Sequence, residues 1–258
     1  MLTISELLKF RSLIAALVSR HLAARYRGSL LGFFWSLLTP LTLMVVYTVV
    51  FSFIMRAASV EHYELFLMSG LLPWIWTSTS IIEGTSSIVS SGHLITKSMF
   101  PAHLLPFVSV AASGINFLLS VAVLIVFSLF LGVTPHATLV LLPVVVLIHY
   151  LFLWGISMTL ASLNVLYRDV QHLVANAITV IFFLCPIVYT VETIPENYRY
   201  IYLQNPFALF ISIYQQLFFY GNWPAALQIV QALCWACVAL VIGVGAYRKT
   251  HEQFAEML

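Results

Sequence analysis

Apolar positions in this chain run in blocks rather than alternating. Six blocks stand out, at 33–55, 66–90, 107–131, 139–165, 174–190 and 225–247. A helix crossing a bilayer needs about 17–25 predominantly apolar residues, so each block predicts a span. The first reads "FFWSLLTPLTLMVVYTVVFSFIM", with Pro40 near its start, where a helix tolerates proline best. The fourth carries Pro143 in its first turn, and the fifth ends at "CPIVY", where Pro186 predicts a stop or kink. The stretch 191–224 is different. Its apolar part, Pro206–Tyr220, is 15 residues long and holds Gln215 and Gln216. That is short for a span and suits a re-entrant or interfacial helical hairpin. The expected fold is all-α and polytopic: one transmembrane domain over 1–258, six spans, a hairpin between spans 5 and 6, and a tail over 248–258.

Ahead of the first span, residues 5–28 read as an amphipathic helix. At about 100° per residue, Leu7, Phe10, Ile14, Leu17 and Val18 share one side, and Lys9, Arg20 and Arg27 cluster opposite. Arg11 and Arg25 fall toward the apolar side, from which long arginines reach water by snorkelling. Such a helix suits the headgroup layer, with its cations facing phosphates.

Composition agrees with membrane residence: 62% of the 258 residues are hydrophobic and 8% are charged, against about 25% charged in soluble domains. A net charge of +2 gives no reason to expect nucleic acid as a partner. With both termini inside, the inner segments hold Lys9, Arg11, Arg20, Arg25, Arg27, Lys97, Arg168, Arg248 and Lys249. The outer ones hold only Arg56 and Arg199. This bias predicts cytoplasmic termini, and the first apolar block lacks the cleavage site of a signal peptide. Cys185, Cys234 and Cys237 fall inside predicted spans and read as small buried residues.

No catalytic constellation is legible: no H-E-x-x-H, no G-x-S-x-G and no usefully spaced carboxylate pair. The eight histidines are scattered without ligand-like pairing, so no metal is expected. "SSGHLITKS" mimics a phosphate loop, but Thr96 stands where the second glycine is needed. ATP-driven transport would therefore need its ATPase on another chain.

"ARYRGSLLGFFWSLLTPL", "LNVLYRDV", "CPIVYT" and "NPF", in this order and spacing, resemble the membrane subunits of ABC transporters that export bacterial polysaccharides. These include O-antigen, capsule and teichoic-acid exporters. The resemblance implies a homodimer in the inner membrane, two copies of a cytoplasmic ATPase subunit that holds ATP and Mg, and a substrate linked to undecaprenyl diphosphate. No cofactor is expected on this chain itself.

The candidate residues fall into four groups. Arg20, Arg25 and Arg27 are expected at an anionic lipid-diphosphate headgroup, or serve only to hold the N-terminus inside. His93, Lys97, Ser98, Met99 and Phe100, with Arg168 and Asp169, sit on two inner loops, 92–106 and 167–173, that the resemblance places against the ATPase. Asp169 reads equally as a cap on the next span. Trp35, Tyr47, Phe51, Thr79, Glu83, Ser86, Phe183 and Tyr189 are candidates for a conduit lining. Tyr198, Tyr200, Tyr202 and Tyr214 are candidates for an outer gate. Glu83 is the only Asp, Glu, Lys or Arg well inside a predicted span; with Thr79, Ser86 and Ser90 it forms a polar stripe. That stripe serves interhelical hydrogen bonding, a conduit, or a proton relay with His149 as mid-membrane partner. Trp74, Trp76 and Trp223 read as interfacial belts. The alternatives are an ABC permease for drugs or simple lipids, a proton-coupled transporter using Glu83, and a membrane-embedded glycosyl- or phosphotransferase.

Overall fold

The computed structural model describes residues 9–29, 31–50, 61–93 and 101–257. It is 84% helical, and no strand occurs among the described residues. The helices are α1 (Arg11–Tyr26), α2 (Trp35–Thr48), α3 (Tyr63–Ser90), α4 (Leu104–Phe130), α5 (Leu142–Leu166) and α6 (Val170–Phe183). There follow α7 (Glu196–Leu203), α8 (Pro206–Gln215), α9 (Ala226–Thr250) and α10 (Phe254–Met257). Among the described residues, four helical stretches are long and apolar enough to cross a membrane: α3, α4, Ala137–Leu166 containing α5, and Ala226–Gln253 containing α9. α2 and α6 are apolar but shorter. α2 runs into a π turn at 49–50, and the rest of the predicted first span lies outside the described residues. α6 ends three residues before Pro186, and Pro143 sits in the first turn of α5, as the sequence suggests.

α3 is the hub, packing against α2, α4, α5, α6 and α8. It is rich in small polar residues whose hydroxyls turn inward on their own helix. Thr77 donates to the Pro73 carbonyl at 2.8 Å, Thr85 to Ile81 at 2.6 Å and Ser87 to Gly84 at 2.7 Å. Each buried hydroxyl is thereby satisfied, and the slim profile lets neighbouring helices close in. Gly84 shows how close: a Cβ there would lie 2.5 Å from the Ser157 side chain of α5. The α5–α9 contact is tighter still, since a Cβ on Gly155 would lie 2.4 Å from the Ala239 carbonyl carbon.

His149 of α5 is fully buried at the centre. Its Nε2 lies 3.2 Å from Thr77 Oγ1 and its Nδ1 3.3 Å from the Tyr214 hydroxyl. The ring stacks on Phe210 at 4.4 Å and meets Trp76 edge-on at 4.7 Å. The chain between α6 and α9 thus folds back and buries α8 against the hub. Asn205 caps α8 by accepting from the Phe207 amide at 3.0 Å. Tyr63 donates to the Val188 carbonyl at 2.9 Å, Thr138 to that of Leu217 at 3.0 Å, and the Gln215 amide donates to that of Pro186.

Two expectations are corrected. Trp74 and Trp76 are core residues, not a belt; Trp76 stacks on Phe117 at 4.9 Å and donates to the Val110 carbonyl. Cys234 and Cys237 lie on the exposed face of α9, and only Cys185 is buried. In both cases the residue type was right for a membrane helix, and the facing was decided by neighbours that periodicity does not reveal.

Candidate functional site

The polar stripe of α3 meets a second one on α4, formed by Ser109, Ser113, Asn116 and Ser120 at helical spacing. Two pockets open along their junction. One, of about 280 Å³, lies where α1 crosses; its walls include Arg20, His21, Glu83, Ser86, Ser90 and Ser109. Glu83 is held there by His21, Nε2 to Oε2 at 3.1 Å, and both side chains are about one-third exposed. Arg20 faces the same space without an ion pair among the described residues. The other pocket, of about 290 Å³, lies one turn further along α3, with Trp35, Thr39, Thr79, Asn116 and Ser120 in its walls.

α1 leans along α4 rather than standing off from it. Ile14, Val18 and Leu22 line an apolar groove with Phe107, Ala111 and Ile115, so the apolar side read from sequence is the side that packs.

α6 has an unusual surface. Only Val174, Ile178 and Phe182 are buried, at intervals of four. The remaining faces expose Gln171, His172, Asn176 and Thr179 beside Leu173, Val180 and Phe183. The Asn176 side chain has no hydrogen-bond partner among the described residues. An unsatisfied carboxamide is costly against lipid tails, so this face needs water or protein across it.

At the bundle end where α3 finishes and α4 begins, Ile88, Ala102, Leu105, Ala161, Val165 and Phe254 form a separate small core. Phe254 is 2% exposed and fastens the C-terminal tail beneath α3, α4 and α5. Arg168 reaches the same tail, its Nη2 donating to the Met257 carbonyl at 3.3 Å.

Residues 12–219 match the ABC-2 type transporter family. The chain belongs to that family. It is a multi-pass membrane transport subunit, with several apolar helices as the family requires. Among curated proteins, it is 38% identical over 257 residues to the O-antigen export system permease protein RfbA of Myxococcus xanthus, covering 99% of this chain and 98% of that one. An O-antigen export system permease protein RfbA of Klebsiella pneumoniae is 30% identical over 248 residues, with 95% of each chain covered. The polysialic acid transport protein KpsM of Escherichia coli is 21% identical over 248 residues, with 93% of each covered.

For an ABC-2 permease, the predicted site residues divide as follows. Arg20 lines the first pocket; Arg27 is exposed just past α1, and the Arg25 side chain lies outside the described residues. His93 is exposed at the end of the described segment, while Lys97, Ser98, Met99 and Phe100 lie outside it, as does Phe51. Asp169 makes no side-chain cap on α6 and is exposed beside Arg168. The conduit candidates separate into three places. Trp35 and Thr79 share the second pocket, Glu83 and Ser86 the first, and Phe183 is exposed on α6. Tyr47 stacks on Phe182 at 5.9 Å. Tyr189 donates to the Phe183 carbonyl at 2.8 Å and lies 3.0 Å from the Tyr202 hydroxyl. Burial, and then that bond, push the Tyr202 phenol well above the ordinary tyrosine range. Of the gate candidates, Tyr198 and Tyr200 are exposed and Tyr202 is half-buried, whereas Tyr214 is fully buried on His149.

Glu83 and His149 are not brought together. Glu83 pairs with His21, and His149 is held by Thr77, six residues and about 9 Å of helix away from Glu83. Sequence reasoning missed three residues: His21, Asn116 and Phe254. His21 and Asn116 lay on faces whose partners are distant in sequence. Phe254 had a signal, a lone aromatic in a charged tail.

Proposed function

We propose that this chain is the permease half of an ATP-driven exporter of O-antigen-like polysaccharide carried on undecaprenyl diphosphate. Two copies form a homodimer in the bacterial inner membrane, each bound to one cytoplasmic ATPase subunit that supplies ATP and Mg. The observation that carries the reading is the exposed face of α6. Its polar groups need a partner other than lipid, and on the same helix Phe183 is exposed, a flat ring suited to sugar faces. A polysaccharide sliding between two copies meets both requirements. The names of the full-length relatives point to the same class of cargo.

In this reading α2 and α6 complete a set of six spans, α7 and α8 form an outer re-entrant element, and both termini are cytoplasmic. α1 lies at the inner headgroup layer. Its Arg20, with Arg25 and Arg27, receives the diphosphate, since guanidinium groups match phosphate geometry. The segments 92–106 and 167–173 take up the motion of the ATPase; Ala102 and Leu105 share a core with Phe254, and Arg168 bonds the same tail at Met257. The aromatic side chains of 198–202 stand at the exit.

The test uses the permease purified with its ATPase subunit in liposomes. Lipid-diphosphate glycan should stimulate ATP hydrolysis, and Arg20→Ala should weaken that stimulation at unchanged expression. Stimulation unchanged by Arg20→Ala, Arg25→Ala and Arg27→Ala together would remove the headgroup role.

A further inference from the structure

The groove where α1 leans on α4 has a volume of about 770 Å³, inside the range of about 300–1,000 Å³ that ligand sites occupy. Its wall is largely apolar: Ile14, Val18 and Leu22 of α1 face Phe107, Ile115 and Leu118 of α4. Two polar side chains in that wall are already satisfied within the protein. The Trp76 indole donates to the Val110 carbonyl at 3.3 Å, and the Tyr150 hydroxyl to that of Phe107 at 3.0 Å. The other two, Arg11 and Ser19, are exposed on α1. Arg11 has no ion pair among the described residues, and residues 9–29 contain no Asp or Glu. A dry wall with one unneutralised cation suits an amphiphile that carries an anionic head.

We propose that this groove holds one anionic phospholipid of the inner leaflet, with an acyl chain along α4 and its phosphate on Arg11. The site goes beyond the export reading and needs no particular cargo; it requires only that α1 lie at the inner headgroup layer. On α4 the wall runs from Phe107 to Leu118, about 16 Å of helix, and one leaflet of a hydrocarbon core about 30 Å thick is about 15 Å deep. A single phospholipid chain matches that length, whereas a polyprenyl tail far outruns it. A helix from a second copy is too large: at about 10 Å across and 16 Å long it needs about 1,250 Å³. The bound lipid fixes α1 against α4, the position in which His21 reaches Glu83. It also gives Arg11, on the apolar side of α1, its counter-charge.

The experiment titrates the delipidated permease–ATPase complex, in nonionic detergent, with fluorescent phosphatidylglycerol and separately with phosphatidylcholine of the same chains. Phosphatidylglycerol should bind about fivefold more tightly, the value of one basic side chain near an anionic headgroup. Arg11→Gln should abolish that difference and Arg11→Lys should keep it; both replace an exposed side chain, so neither disturbs the fold. Lys9→Gln, outside the wall, should leave the difference intact, whereas general attraction to a basic surface would fall equally in both glutamine variants. Ala15→Trp fills the groove from an exposed position on α1 and should weaken both lipids about tenfold, what two buried methylenes are worth. Equal binding of the two lipids by the wild type, a preference that survives Arg11→Gln, or affinities unmoved by Ala15→Trp overturns the site. Displacement of phosphatidylglycerol by undecaprenyl diphosphate also overturns it and gives the groove to the substrate's tail; a changed oligomer size in Ala15→Trp gives it to a second copy. These readings are of lipid binding, so the export proposal, read by transport, stands or falls separately.

Discussion

Replacing His149 separates packing from hydrogen bonding in the hub, and tests whether the histidine is structural. His149 is 1% exposed, lies between Phe210 and Trp76, and bonds Thr77 and Tyr214 at 3.2 and 3.3 Å. Tyr214→Phe removes one polar contact only. Interhelical hydrogen bonds in membrane proteins average about 0.6 kcal/mol and reach about 1.7, so that variant should lose about 1 kcal/mol. His149→Ala also removes the ring and leaves a cavity, a change that costs about 2–5 kcal/mol for large buried side chains. Thr77 adds nothing to the loss because it already donates to Pro73. His149→Ala should therefore be two to five times as costly as Tyr214→Phe, and the two should be strongly non-additive, since the second has little to remove after the first. Unfolding of the detergent-solubilised permease by denaturant titration reads all three variants. Equal losses for Tyr214→Phe and His149→Ala would refute the packing argument. Full stability in His149→Ala with transport abolished would refute the structural role and reinstate a proton function.

Three further outcomes follow from other contacts. Gly155→Ala places a Cβ against the Ala239 backbone, and should cost about 1–3 kcal/mol of overpacking, visible as a lower melting temperature in detergent; an unchanged melting temperature would show that α5 and α9 separate easily. Phe254→Ala should free the C-terminal tail to limited proteolysis near 250–257 and reduce ATPase coupling, because its side chain shares a core with Ala102 and Leu105 of one inner loop and the tail it fastens is bonded by Arg168 of the other; a tail still protected would remove that link. Asn176→Leu should change stability by less than about 0.5 kcal/mol, as exposed sites do, yet slow export. Clear stabilisation with normal export would place that face against lipid.

Long apolar blocks made α3, α4, α5 and α9 legible, because length and composition alone define a span. Proline positions set the start of α5 and the end of α6 for a local steric reason. Facing was less legible. In a membrane helix both the lipid side and the packed side are apolar, so Trp74 and Trp76 carried no mark of their burial. Polar residues were better guides: the stripe at 79, 83, 86 and 90 does line pockets, although it divides between two of them. The partner of Glu83 could not be read, because His21 lies 62 residues earlier on a separate helix. His149 offered itself as partner only because it was the other ionisable group at similar depth.

The most direct measurement is ATP-dependent delivery of labelled lipid-linked polysaccharide into inside-out vesicles carrying the permease with its ATPase subunit. The account predicts delivery that requires both chains, stops in an ATPase-dead complex, survives collapse of the proton gradient and persists in Glu83→Gln. Delivery by the permease alone, driven by a proton gradient and lost in Glu83→Gln, would contradict it.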